Sequence, residues 1–103
     1  MKSDQLIIVD DEIEITSSYE IFMRREGHGN YALYNDPKRF LEDLPNLNPA
    51  VIFLDLRMPG ASGEELLEKA GLMKQNTSIF IVSGTEDVET AVRCIKKGAL
   101  DYL

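Results

Sequence analysis

Val51-Ile52-Phe53-Leu54-Asp55 is a run of four large apolar residues that ends in a carboxylate. An apolar run without polar alternation reads as a strand buried on both faces of a parallel sheet. Two further runs share the form. Leu6-Ile7-Ile8-Val9 leads into Asp10-Asp11, and Ile79-Phe80-Ile81-Val82 leads into Ser83. Open parallel sheets place their chemistry at the carboxyl ends of their strands. Asp10, Asp11, Asp55 and the Ser83 hydroxyl are therefore expected to converge on one edge.

Between the strands lie helical patterns. Ile15, Tyr19 and Phe22 occupy one helical face within Glu12 to Glu26, and Gly27 supplies a stop. Tyr31-Ala32-Leu33-Tyr34 reads as a short second strand. Asn35 or Asp36 then caps a second helix that starts at Pro37 and runs to about Leu44. Ser62-Gly63-Glu64-Glu65 forms an S-x-x-E capping box, followed by an apolar stripe of Leu66, Ala70 and Met73. A fourth helix follows Glu86-Asp87 and is expected to bury Val88, Ala91, Val92 and Ile95. It ends in Lys96-Lys97-Gly98, with cations at the negative end of its dipole. Ala99 to Leu103 begins a fifth strand. Alternation of this kind predicts an α/β fold built on a doubly wound parallel sheet.

Composition narrows the function. With 103 residues, 44% hydrophobic and 28% charged, the chain reads as one small globular domain. A formal charge of −7 argues against this segment gripping nucleic acid or an anionic membrane, since both require clustered Lys and Arg. The single cysteine, Cys94, rules out an internal disulfide and is compatible with a reducing cytoplasm. Neither a leader peptide nor an apolar stretch of ~18 residues is recognisable, so secretion and membrane spanning are not expected.

Crowded acids require a partner. Two like charges about 4 Å apart repel by about 4 kcal/mol at an effective dielectric of about 20, so three carboxylates in one cleft either bind protons or recruit a cation. Mg²⁺ suits such a site because it takes oxygen ligands, keeps several waters and bridges to phosphate oxygens. One carboxylate can then act as a nucleophile that forms an acyl phosphate. Asp55, alone at the end of the central strand, is the best candidate, with Asp10 and Asp11 on the metal side. Ser83 can donate to a phosphoryl oxygen.

These residues resemble the receiver domain of bacterial two-component response regulators. The likeness rests on Ile8-Val9-Asp10-Asp11-Glu12, Phe53-Leu54-Asp55-Leu56-Arg57-Met58-Pro59-Gly60, Ser62-Gly63, Val82-Ser83-Gly84 and Lys97-Gly98-Ala99-Leu100-Asp101-Tyr102-Leu103. It implies a flavodoxin-like (βα)₄β receiver sheet of order 2-1-3-4-5 with right-handed crossovers. It also implies that Asp55 is the phosphoacceptor and that Asp11 ligates Mg²⁺ directly. Asp10 would act through water, Asp55 would also ligate the ion, and the Arg57 backbone carbonyl would complete the protein ligands. Ser83 matches the family's switch hydroxyl and Tyr102 the aromatic residue that follows it. The implied partners are a sensor histidine kinase or phosphotransfer protein and an output domain or partner beyond Leu103. Such a domain is a self-phosphorylating signal module in the cytoplasm, not a turnover enzyme.

The family's lysine would fall two residues past Leu103, and its fifth helix later still. Residues 1–103 are thus expected to be a receiver domain incomplete at its C-terminus, with one sheet face partly uncovered and prone to self-association or low stability. Two other functions compete. A haloacid dehalogenase-type phosphatase also uses a strand-end aspartate but wants an Asp-x-Asp pair, whereas Asp10 and Asp11 are adjacent. A phosphorylation-independent interaction module would have little use for Asp10, Asp11, Asp55 and Ser83 together. His28 reads as a loop histidine and Cys94 as a packed helix residue.

Overall fold

The structure is a computed structural model that describes residues 5–58, 61–74, 76–82 and 88–102, with the side chains of Arg57, Met58, Ala61, Ser62, Val88 and Tyr102 outside the description. Five parallel strands form one sheet: β1 (Leu6–Val9), β2 (Tyr31–Tyr34), β3 (Val51–Asp55), β4 (Ser78–Val82) and β5 (Asp101–Tyr102). Their spatial order is β2-β1-β3-β4-β5, the expected 2-1-3-4-5 arrangement. The connecting α-helices among the described residues are α1 (Ile13–Arg25), α2 (Pro37–Asp43), α3 (Gly63–Met73) and α4 (Val88–Lys96). A 3₁₀ turn, Leu44–Asn46, extends α2.

Local chemistry sets the helix ends. Asp36, not Asn35, caps α2: its carboxylate accepts from the Lys38 N–H at 3.0 Å, and Pro37 starts the helix with its φ already fixed. At the end of α1, Gly27 takes φ +76°, the His28 N–H bonds the Met23 carbonyl at 2.9 Å, and the Gly27 N–H bonds the Arg24 carbonyl at 3.2 Å. This is a complete Schellman motif. The end of α4 repeats it, with Gly98 at φ +112°, Ala99 N–H to Cys94 O at 3.0 Å and Gly98 N–H to Ile95 O at 3.2 Å. The Ser62 side chain, proposed to cap α3, lies outside the described residues, although α3 does begin at Gly63.

Alternate residues of the strands meet different surroundings. Ile7, Val9, Ile52, Leu54, Ile79 and Ile81 pack against Phe40 of α2, Leu44, Leu66, Leu67 and Ala70 of α3, Cys94 of α4 and Ala99. All of them are nearly or fully buried. Each large apolar side chain buried there contributes about 1.5–3 kcal/mol relative to exposure. On the other face, Phe53 stacks on Tyr19 of α1 at 6.5 Å between centroids and tilts against Phe80 at 5.6 Å. Val51, Phe53 and Phe80 remain half-buried there, while Ile8 is closed off at 2% exposure. The partly uncovered face expected from the sequence is therefore present among the described residues.

Three helix faces differ from their expected stripes. In α1 the buried residues are Thr16 and Met23, while Ile15 and Phe22 are 39% and 57% exposed. In α3, Leu67 joins Leu66 and Ala70 in the core and Met73 is exposed. In α4, Thr90 and Cys94 are buried, whereas Val92 and Ile95 are exposed. A stripe read by hydrophobicity selects the largest apolar residues. A short helix laid on a sheet buries whichever residues face it, and small or hydroxyl side chains allow the closest approach.

Candidate functional site

The sheet register assembles the acidic cluster. Val9 of β1 pairs with Leu54 of β3, so the next residues, Asp10 and Asp55, emerge side by side. Asp11 follows in the loop to α1. One carboxylate oxygen from each of Asp10, Asp11 and Asp55 lies within 4.8 Å of the others, and all three residues are half-buried. On the other side of β3, Asp55 pairs with Val82, the residue before Ser83. Ser83 itself lies outside the described residues.

Local bonds hold the cluster's loop. The Asp10 carboxylate accepts from the Glu12 N–H at 2.9 Å, an Asx-type turn that carries the chain into α1. The Asp10 N–H continues the ladder to the Tyr34 carbonyl at 2.9 Å. Its own carbonyl accepts from the Asn35 amide nitrogen at 2.8 Å, and the same nitrogen reaches the Thr16 hydroxyl at 2.9 Å. Sequence reasoning weighed Asn35 only as a cap and passed over Thr16. The available signal was a hydroxyl residue one position off the large apolar stripe of α1.

After Asp55 the backbone forms a small antiparallel hairpin, Arg57–Met58 with Ala61–Ser62, before entering α3. Gly63 makes that path possible: a Cβ there would sit 2.5 Å from the Leu56 carbonyl oxygen and 2.6 Å from its Cα. Tyr102 lies in β5 opposite Ile81, its side chain outside the description.

Charged groups elsewhere have other work. Glu64 of α3 accepts from Arg93 at 3.0 Å and from Lys97 at 3.2 Å, tying α3 to α4. The Arg93 hydrogen bond, reinforced by Lys97, holds the Glu64 carboxyl below its ordinary range. Lys97 is thereby committed to Glu64 and Glu68, in keeping with an ordinary helix role. Burial, with Glu64 nearby, pushes the Cys94 thiol up, which suits a packed residue and not a nucleophile. Burial and the bond to Asp43 likewise raise the Tyr34 hydroxyl. His28 sits exposed in the loop after α1.

A five-stranded parallel sheet with an acidic cluster at the carboxyl ends of its first and third strands is the arrangement that the resemblance to receiver domains implies. The response regulator receiver domain family matches residues 6–103, and the chain belongs to that family. The transcriptional regulatory protein FixJ of Bradyrhizobium diazoefficiens is 34% identical over 98 residues, covering 95% of this chain and 47% of the relative. ZraR of Escherichia coli is 31% identical over 98 residues, covering 95% of this chain and 22% of the relative. The chain thus spans about half the length of FixJ, or less of other curated relatives. Among solved structures, a CheY-like receiver domain protein of Methanospirillum hungatei superposes with a TM-score of 0.89 at 26% identity, covering 97% of this chain and 79% of the other.

The donor set also suits the family's metal. Three oxygens from half-buried carboxylates within 4.8 Å would offer a metal ion an all-oxygen donor set with few protein ligands. Mg²⁺ favours such sites because it gives up its waters reluctantly. No helix among the described residues is long and apolar enough to cross a membrane.

Proposed function

We propose that Asp55 accepts a phosphoryl group, with Asp10 and Asp11 holding Mg²⁺ beside it. The convergence of the three carboxylates at the ends of β1 and β3 carries this reading. When bound, Mg²⁺ would neutralise the crowded charge and attract phosphoryl oxygens. An Asp55 carboxylate oxygen attacks the phosphorus of a donor phosphohistidine. The P–O bond forms as the P–N bond breaks, and the imidazole nitrogen leaves with the electron pair. The product is an acyl phosphate on Asp55 and an unmodified histidine on the donor.

The donor in this reading is a sensor histidine kinase or phosphotransfer protein. The recipient of the signal is an output domain or partner, the compartment is the cytoplasm, and the domain acts without multiple turnover. The Arg57 carbonyl is proposed as a further metal ligand on the strength of the family resemblance. Ser83 and Tyr102 are proposed as the switch pair, likewise on the strength of the family resemblance.

Incubation with acetyl phosphate and Mg²⁺ tests the acceptor. The expected product is a base-labile, hydroxylamine-sensitive label on Asp55, absent in Asp55→Asn. Label on Ser83 or His28, or repeated turnover of a phosphomonoester, would overturn the assignment.

A further inference from the structure

The hydrogen bonds around the first strand end form a directed chain. The Asp10 carbonyl can only accept, so the group that meets it at 2.8 Å must be the NH₂ of Asn35, not its oxygen. Thr16 donates its hydroxyl proton to the Ile13 carbonyl at 3.1 Å and so presents a lone pair to Asn35 at 2.9 Å. Every donor and acceptor in the chain therefore has a fixed direction. Thr16 is 3% exposed, and a buried hydroxyl on a helix keeps its place only when satisfied in this way. The network joins the end of β2, the loop after β1 and the first turn of α1 at one point.

We propose that Asn35 and Thr16 are positioning residues that pre-set the Asp10–Asp11 loop for its cation; the inference rests on the Mg²⁺ reading given above. The paired register of β1 ends at Val9, and beyond it the loop carries two carboxylates facing a third. Like-charge repulsion pushes that loop outward whenever no cation is bound. Asp10 resists at both of its ends. Its carboxylate is held by the Glu12 N–H, and its carbonyl by Asn35, which is itself braced on α1 through Thr16. Without the brace, the carboxylates must be gathered at the moment of binding, and the cost appears as lost affinity.

Isosteric variants separate position from charge. Asn35→Asp keeps the shape but places an acceptor against the Asp10 carbonyl and adds a negative charge near the cluster. If charge alone governed affinity, this variant would bind Mg²⁺ more tightly. Positioning predicts the reverse, a loss on the order of tenfold, as for other groups that orient metal ligands. Thr16→Val should show a smaller loss in the same direction, and Thr16→Ser, which keeps the hydroxyl, should restore wild-type binding. Calorimetric Mg²⁺ titrations of the protein and the three variants, with melts in chelator to verify cooperative folding, make the measurement. Mg²⁺ binding in Asn35→Asp equal to or tighter than in wild type, or equal losses in Thr16→Val and Thr16→Ser, would overturn the inference alone. No Mg²⁺ binding by the unaltered protein would remove the metal reading and this inference together.

Discussion

Leu54 and Phe53 are neighbours on β3, yet they report two different environments. Leu54 points into the face closed by α2, α3 and α4 and is 0% exposed; Phe53 points to the face shared with α1 and is half-buried. The closed face is filled by Phe40 of α2, Cys94 of α4 and aliphatic side chains of α3 and the sheet. The open one relies on a short aromatic row, Tyr19, Phe53 and Phe80. Both faces carry large apolar residues, so hydrophobicity alone does not say which is sealed. Among the described residues, α2, α3 and α4 lie over the closed face and α1 over the other.

The largest expected effect comes from the closed face. Leu54→Ala should cost about 2–5 kcal/mol in urea unfolding, the transfer loss of the side chain plus the cavity it leaves. Phe53→Ala removes a larger side chain but should cost less, about 1–2 kcal/mol, because water already reaches the site and mainly its partial burial and ring contacts are lost. If Phe53→Ala proved as costly as Leu54→Ala, the contrast between the faces would fail.

Gly63→Ala tests the junction between the closed face and the acidic cluster. The added Cβ would meet the Leu56 carbonyl and Cα, both backbone atoms that cannot rotate away. Overpacking of this kind costs about 1–3 kcal/mol. Since Leu56 follows Asp55 directly, Mg²⁺ affinity should fall together with stability. A stable Gly63→Ala chain with unchanged Mg²⁺ binding would show that the hairpin shifts without disturbing the site.

The contrast between faces also marks how far the sequence could be read. Runs such as Val51-Ile52-Phe53-Leu54 were legible because a buried parallel strand has no polar alternation, and the strand-end acids Asp10, Asp11 and Asp55 followed at once. Asp36, Pro37, Gly27 and Gly98 were legible as helix ends because each role needs a particular backbone property. Of the residues buried in α1 and α4, Cys94 was legible as a packed residue and the threonines were not. Thr16 and Thr90 are buried at 3% and 8% exposure while Ile15, Phe22, Val92 and Ile95 stay exposed, and no periodicity rule that favours large apolar residues selects threonines. The brace from Asn35 to Asp10 was hidden for a different reason. It joins residues 25 positions apart through a side chain whose local role as a cap was equally plausible.

The smallest effect concerns the charged tie across α3 and α4 at the rim of the closed face. Glu64 is 22% exposed, but Arg93 is 50% exposed, so solvent screens their pairing and Glu64→Gln should cost only about 0.2–1 kcal/mol at neutral pH. Its pH dependence has a definite sign. The Arg93 hydrogen bond holds the folded-state Glu64 carboxyl below the ordinary value of 4.5. A carboxylate depressed in this way stabilises the fold fully above its unfolded pKa, and the contribution fades as pH falls through the folded value. The stability gap between wild type and Glu64→Gln should therefore be flat near neutrality and close progressively below the ordinary value of 4.5, and salt should narrow it at neutral pH. Urea unfolding of both proteins across acid and neutral pH makes the comparison. A gap that widened on acidification would mean that Glu64 stabilises α3 against α4 in its protonated form, and the ion-pair account of that rim would be wrong.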